Sequence, residues 1–201
     1  MKKMLCALMA LMMLACGFAF AETIAPQMDV VNTTDAIWKV EFDRAAIRDG
    51  VMNGVHLFSE DIYDIVDVEK MAVGDTFVAE GNEITIQSIE RNEFGNIDIN
   101  GGFSKEGGYT LTTEEGTNGW ITTMENDFST CTDRGVYDLE MAGNVTLTDA
   151  WDIDGQTEVA TGIEAVTRAI MESPNPDFHA LNTDIRLEDG KVVEINRHYV
   201  P

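Results

Sequence analysis

Apolar and polar residues alternate along most of this chain in short runs, the two-residue period of strands with one face in a core. Ile37, Trp38, Val40 and Phe42, interleaved with Lys39 and Glu41, predict one such strand. Thr76 to Ala79 and Glu83 to Glu90 predict two more, joined at Gly81-Asn82, with Ile84 and Ile86 on one face and Thr85 and Gln87 on the other. Ile97 and Ile99 alternate with Asp98 and Asn100, and the pattern continues over Tyr109 to Thr113, Trp120 to Met124, Val136 to Met141 and Val145 to Thr148. Glycine- and asparagine-rich turns such as Asp49-Gly50 and Asn53-Gly54 punctuate it at roughly 8 to 12 residues, the spacing of sandwiches and small barrels. The expected fold class is mainly β, a β-rich α+β domain whose antiparallel meander forms a small barrel or sandwich.

Two segments follow a different period. From Glu158 to Met171 the apolar residues Val159, Ile163, Val166, Ala169 and Ile170 recur three or four apart, and Ser173-Pro174-Asn175-Pro176 stops the run. That predicts an amphipathic helix near 157–172, capped by Asp154, Gln156 or Thr157 and packed on a sheet face. A shorter helix is expected after Ser59, which would cap it, with Glu60 and Asp61 in its first turn and Ile62, Tyr63, Ile65 and Val66 on its apolar side.

The C-terminal segment 181–200 reads as a β-hairpin whose register the side chains can choose. A three-residue loop, Asp189-Gly190-Lys191 with Gly190 left-handed, sets Leu187 against Val193, Ile185 against Ile195 and Leu181 against Tyr199 on one apolar face. The other face then pairs Arg186 with Glu194 and Asn182 with His198. Shifting by one residue, to a two-residue Asp189-Gly190 loop, would set Ile185 against Glu194 and mix the faces.

Ahead of this pattern, Lys2 and Lys3 precede an apolar run from Met4 to Phe20 that ends in Ala19-Phe20-Ala21. A basic start, a run shorter than a spanning helix and small residues at its end are the marks of a signal peptide over 1–21, with Glu22 the first mature residue. Met13-Leu14-Ala15-Cys16-Gly17 partly matches the motif at which bacterial lipoproteins are acylated, so a lipid anchor at Cys16 is the competing reading. Both place the protein outside the cytoplasm, secreted or attached to the cell envelope, with no transmembrane helix in the mature chain. Residues 22–34 read as a flexible tether, and 35–201 as a single β-rich domain with a possible subdomain boundary at the glycines of 101–108.

Removing the leader, which holds two lysines and no acid, takes the formal net charge from −23 to −25. Such a charge repels phosphate backbones, and no two lysines or arginines of the mature chain are adjacent, so nucleic acid is excluded as a partner. With Cys6 and Cys16 in the leader, Cys131 is the lone mature cysteine. No internal disulfide is then possible, and nothing beside it in sequence lowers its pKa, so it reads as a buried strand cysteine.

Candidate chemistry is sparse. Asp149, Asp152 and Asp154, before Gly155 and with Glu158 beyond, offer the oxygen ligands calcium prefers. The EF-hand pattern fails, because with Gly155 as its glycine the first ligand position falls on Ala150 and the twelfth on Thr161. An acidic turn before the helix is the alternative reading. Glu125 and Asp127 form a second acidic pair at a strand end, the type of cluster a glycoside hydrolase uses, although a turn explains them as well. His56, His179 and His198 lack the spacing of a zinc motif, and no serine-nucleophile, P-loop or dinucleotide motif is present. Asn32-Thr33-Thr34 and Asn144-Val145-Thr146 match glycosylation sequons. The aromatics Trp38, Trp120, Trp151, Phe103, Tyr109 and Phe128 would line a carbohydrate or peptide surface if several were exposed together. The functional expectation is a non-enzymatic module that binds a protein or carbohydrate partner; the alternatives are an extracytoplasmic hydrolase and a calcium-stabilised structural module.

Overall fold

The computed structural model describes residues 21–26, 35–113, 119–124, 128–151 and 157–200. Strands β1 (Thr23–Ile24), β2 (Asp35–Glu41), β3 (Ile47–Arg48), β4 (Val51–Glu60) and β5 (Ile62–Asp64) come before helix α1 (Ile65–Lys70). β6 (Thr76–Ala79), β7 (Asn82–Thr85), β8 (Ile89–Arg91), β9 (Ile97–Ile99), β10 (Tyr109–Thr113) and β11 (Gly119–Thr123) follow. The chain ends with β12 (Cys131–Ala150), β13 (Glu158–Thr161), helix α2 (Ile163–Glu172), β14 (Thr183–Glu188) and β15 (Lys191–His198). The protein is mostly β, as the alternation predicts, with antiparallel pairing broken by two parallel pairs, β1 with β6 and β12 with β15.

β12 organises the larger half. Its first part, Cys131 to Glu140, runs antiparallel to β4, and its last part, Thr146 to Ala150, runs parallel to β15. Since β15 pairs with β14, β14 with β2 and β2 with β4, the ring closes on itself. Among the described residues each strand of the ring thus has a neighbour on either side along at least part of its length. The bend that lets one strand serve two neighbours falls between Met141 and Thr146, where the register shifts. Inside lie Trp38, Val40, Leu57, Leu147, Ile185 and Ile195, and α2 covers them with Val166, Ala169 and Ile170.

A second core belongs to β1 and to the chain between β4 and β12. There the sheet β5-β11-β10-β9-β8 and the small sheet β1-β6-β7 share Ile24, Tyr63, Phe77, Ile97, Leu111 and Trp120. Tyr63 stacks on Phe77 with ring centroids 4.8 Å apart. Apart from β1, the small unit is thus an insertion into the barrel, and the residues where the chain leaves β4 and enters β12, Glu60 and Cys131, are themselves a paired couple. The glycines of 101–108 connect β9 to β10 within it.

Five local expectations are corrected. The helix expected from Glu158 begins at Ile163, because Glu158–Thr161 pairs with β12 as strand β13 and Gly162 turns the chain with φ 88°. Val159, which fits the helical stripe, is 67% exposed. Ser59 caps nothing: it lies in β4 and accepts from Arg134 Nε at 2.7 Å, while α1 starts six residues later with Asp64 accepting from the Val66 amide at 2.7 Å. The strand expected over Glu83 to Glu90 is split into β7 and β8, because Ile86 bonds to Asp75 and Gly74 instead of to a neighbouring strand. The C-terminal hairpin uses the two-residue turn, with Asp189 and Gly190 both left-handed at φ 49° and 74°. A bulge at Val193 then restores the expected register, so that Ile185 faces Ile195 and Arg186 faces Glu194, while Leu187 meets Val192. At the other end, the segment expected as a tether starts in the fold, since Thr23 and Ile24 form β1 and Ile24 is buried.

Among the described residues the barrel contains one fully buried ion pair. Arg197, on the inward face of β15, donates from Nε and Nη2 to the two carboxylate oxygens of Asp149 on β12, at 2.8 and 2.6 Å. Its remaining N–H groups go to Ser173 Oγ at 2.6 Å and to the carbonyls of Asn175 and Asp177 at 2.8 and 3.1 Å. All five donors are used, and the guanidinium lies 4.0 Å from the Phe178 ring centroid. The pair thereby ties two barrel strands to the end of α2 and the loop that follows it. Arg197→Met leaves Asp149 buried and unpaired and is expected to cost about 3 to 5 kcal/mol in urea unfolding, whereas Asp149→Leu/Arg197→Met together cost clearly less than that single change. A single-variant loss below about 1 kcal/mol would show the pair to be dispensable.

Candidate functional site

The acidic candidates separate. Asp149 is committed to Arg197, and Ser173 Oγ also donates to it at 3.2 Å, so a calcium ion there would have to displace a bidentate guanidinium. Asp152 and Asp154 lie outside the described residues, as do Glu125 and Asp127 of the hydrolase alternative. Among the described residues no group of three or more histidine, cysteine or acidic side chains could hold a metal ion. Nor is any described helix long and apolar enough to cross a membrane.

His56 on β4 reaches across to β12, where Nε2 lies 2.7 Å from Asp133 Oδ1. The Gly135 amide and then His56 hold the Asp133 carboxyl below its ordinary range. His56 also lines a polar cleft of about 570 Å³ with Glu41, Asp43, Arg44, Asp177 and His179. Arg44 in that cleft is partnered, since Nη1 donates to the Ser173 carbonyl at 3.0 Å.

The aromatic candidates also part company. Trp38 and Trp120 fill the two cores, at 3% and 7% exposure. Phe103 and Tyr109, by contrast, come together at the end of the inserted unit, in a cleft of about 660 Å³ that Glu80, Met124, Thr123 and Thr130 complete. It sits where the insertion meets the start of β12, and clefts between packed units are preferred ligand sites. Phe103 stands half exposed on the β9–β10 loop. That loop is tight because Gly108 passes so close to Gly102 that a Cβ there would lie 2.3 Å from the Gly102 carbonyl oxygen.

Glu80 enters this cleft from the turn between β6 and β7, in the left-handed region at φ 52°. Its carboxylate accepts from Tyr109 Oη at 3.2 Å, and its amide donates to Asp61 Oδ2 at 2.8 Å. Burial and then the Glu80 charge push the Tyr109 hydroxyl up to about 12. Behind the wall lies Asp61, with no exposed surface, accepting also from Thr130 Oγ1 at 3.0 Å and Thr132 Oγ1 at 2.5 Å. Tyr63, next to it, is pushed far above its ordinary value by burial and by Asp61.

Sequence reasoning missed Glu80, Asp61 and Arg197. Arg197 carried a readable signal, because the hairpin register places it on the same face as Ile185 and Ile195, and an arginine there requires a buried acceptor. Asp61 and Glu80 carried none, since their partners lie at sequence distances of 19 to 71.

Cys131 opens β12, partly buried, and burial followed by the Glu60 charge pushes its thiol up to about 12. At pH 8 the thiol is then overwhelmingly protonated and unreactive. Iodoacetamide is expected to label the folded protein far more slowly than the urea-unfolded chain, and equal rates would contradict this burial. In comparison with known proteins, no family model, no curated protein and no solved structure matches this chain.

Proposed function

We propose that this chain is an exported, non-catalytic binding module working at or outside the cell envelope, which holds a carbohydrate ligand in the cleft of Phe103 and Tyr109. The observation that carries this reading is the meeting of two partly exposed aromatic rings with a hydrogen-bonding wall in one concavity. Rings offer flat apolar faces on which a sugar ring stacks, and Glu80, Thr123 and Thr130 offer oxygens at its rim for hydroxyl groups. The Tyr109 hydroxyl suits holding a ligand better than transferring a proton. Burial and the Glu80 charge push it up to about 12, and the Glu80 carboxylate accepts its hydrogen bond. General acid–base chemistry near neutrality calls for groups poised much closer to the working pH. Export rests on the leader sequence, and the charge of −25 suits a soluble protein outside the cell.

An NMR titration of the mature chain with neutral sugars, amino sugars and short peptides tests the reading. Sugars are expected to shift the amides of Gly107, Gly108 and Tyr109. Phe103→Ala should weaken that binding about tenfold without lowering the melting temperature, because the side chain is half exposed. Peptides shifting these amides while sugars do not would move the ligand class, and no shift from any of them would overturn the cleft as a binding site.

A further inference from the structure

The residues just past the expected leader are built into the small sheet. The Glu22 amide donates to Asp75 Oδ1 at 2.9 Å, and the Glu22 carbonyl accepts from the Thr76 amide at 2.9 Å. Thr23 and Ile24 then pair in parallel with Thr76 and Phe77, and Ile24 is 2% exposed in the second core. Asp75 is equally fixed. It is 8% exposed, its other oxygen accepts from the Ala72 amide at 2.8 Å, and its own amide and carbonyl bond to Ala72 and Ile86 at 3.1 and 2.9 Å.

We propose that removal of the leader after Ala21 creates an ion pair between the new α-ammonium group of Glu22 and Asp75, which locks β1 onto β6 more firmly in the processed protein than in the precursor. The step is hydrolysis of the Ala21–Glu22 peptide bond by a signal peptidase. One water is consumed, Ala21 leaves on the leader as a carboxylate, and the Glu22 nitrogen becomes an ammonium. That nitrogen already lies at hydrogen-bond distance from Asp75, so no rearrangement is needed for a neutral amide bond to become a charge-assisted one, the stronger type. In a chain with so few cations, a positive charge placed on a mostly buried acid has little competition. Processing thus stabilises the very end that it generates, while the precursor keeps a weaker sheet until it is exported. The proposal rests on the export reading and is independent of the ligand.

Two measurements test it separately. Mass spectrometry of the secreted protein is expected to give Glu22 as the first residue, and a lipidated Cys16 in that place would overturn both the cleavage and the pair. The chain 22–201 is then prepared with a free amino terminus and with an N-terminal acetyl group, which keeps an N–H donor and removes only the charge. The free form is expected to have an unfolding constant about tenfold smaller than the acetylated one, and Asp75→Asn should abolish the difference. Equal stability of the two forms, or a difference that survives Asp75→Asn, overturns the ion pair. Should Asp75→Asn fail to fold, hydrogen exchange of the Thr76 amide decides: it is expected to be slower in the free form, and equal exchange overturns the proposal.

Discussion

A single buried carboxyl group, that of Asp61, holds the inserted unit to the barrel. It stands at the point where the chain leaves β4 for β5, and its partners are the Glu80 amide of the small sheet and the Thr130 and Thr132 hydroxyls at the return into β12. Its own amide donates to the Thr130 carbonyl at 3.1 Å, which clips outgoing and returning segments together. A carboxyl group without exposure is costly to bury unless donors surround it, and here three converge on its two oxygens. The inserted unit needs such an attachment. Its described core holds ten buried apolar residues against eighteen in the barrel, and small cores are marginal on their own.

The barrel meets its own constraint in a parallel way. Closing the ring requires β12 to leave β4 and join β15, and the Asp149–Arg197 pair lies on that second contact, where the two residues are register partners. Asp61 and Asp149 therefore both act on β12, Asp61 at its start and Asp149 near its end. Each is satisfied by donors from distant parts of the chain, so each binds elements that sequence separation would otherwise leave to slow, entropically costly closure.

How much of this was legible follows from which forces are local. Strand alternation at Trp38, Val40, Ile97 and Ile99 is a local signal, and those side chains are buried as the alternation implies. The hairpin register was legible beyond its turn, because Ile185 against Ile195 and Arg186 against Glu194 leaves no other arrangement that keeps the faces apart; the turn itself favoured the tighter Asp189-Gly190 geometry and a bulge absorbed the difference. The helix start was misread since Val159 fits a helical stripe and an edge strand alike, and only its pairing with β12 decides. Ser59 had the right chemistry for a cap, but the pairing of β4 with β12 overrode it. The cleft was legible only in part: Phe103 and Tyr109 were among the candidate aromatics, while Glu80 and Asp61 gain their roles through contacts that no short-range pattern encodes.

The two ends of the inserted unit and the cleft between it and β12 thus depend on one junction. Glu80 faces the cleft with its carboxylate and Asp61 with its amide, so the wall that meets Tyr109 is positioned by the same group that attaches the unit. Native-state hydrogen exchange on an Asp61→Ala variant tests this account most directly. The amides of Ile97, Ile99 and Leu111 should lose protection by at least about tenfold while those of Leu147, Ile185 and Ile195 keep theirs, because the inserted unit loosens from an intact barrel. Unchanged protection in the insertion, or an equal loss in both cores, would contradict the role assigned to Asp61.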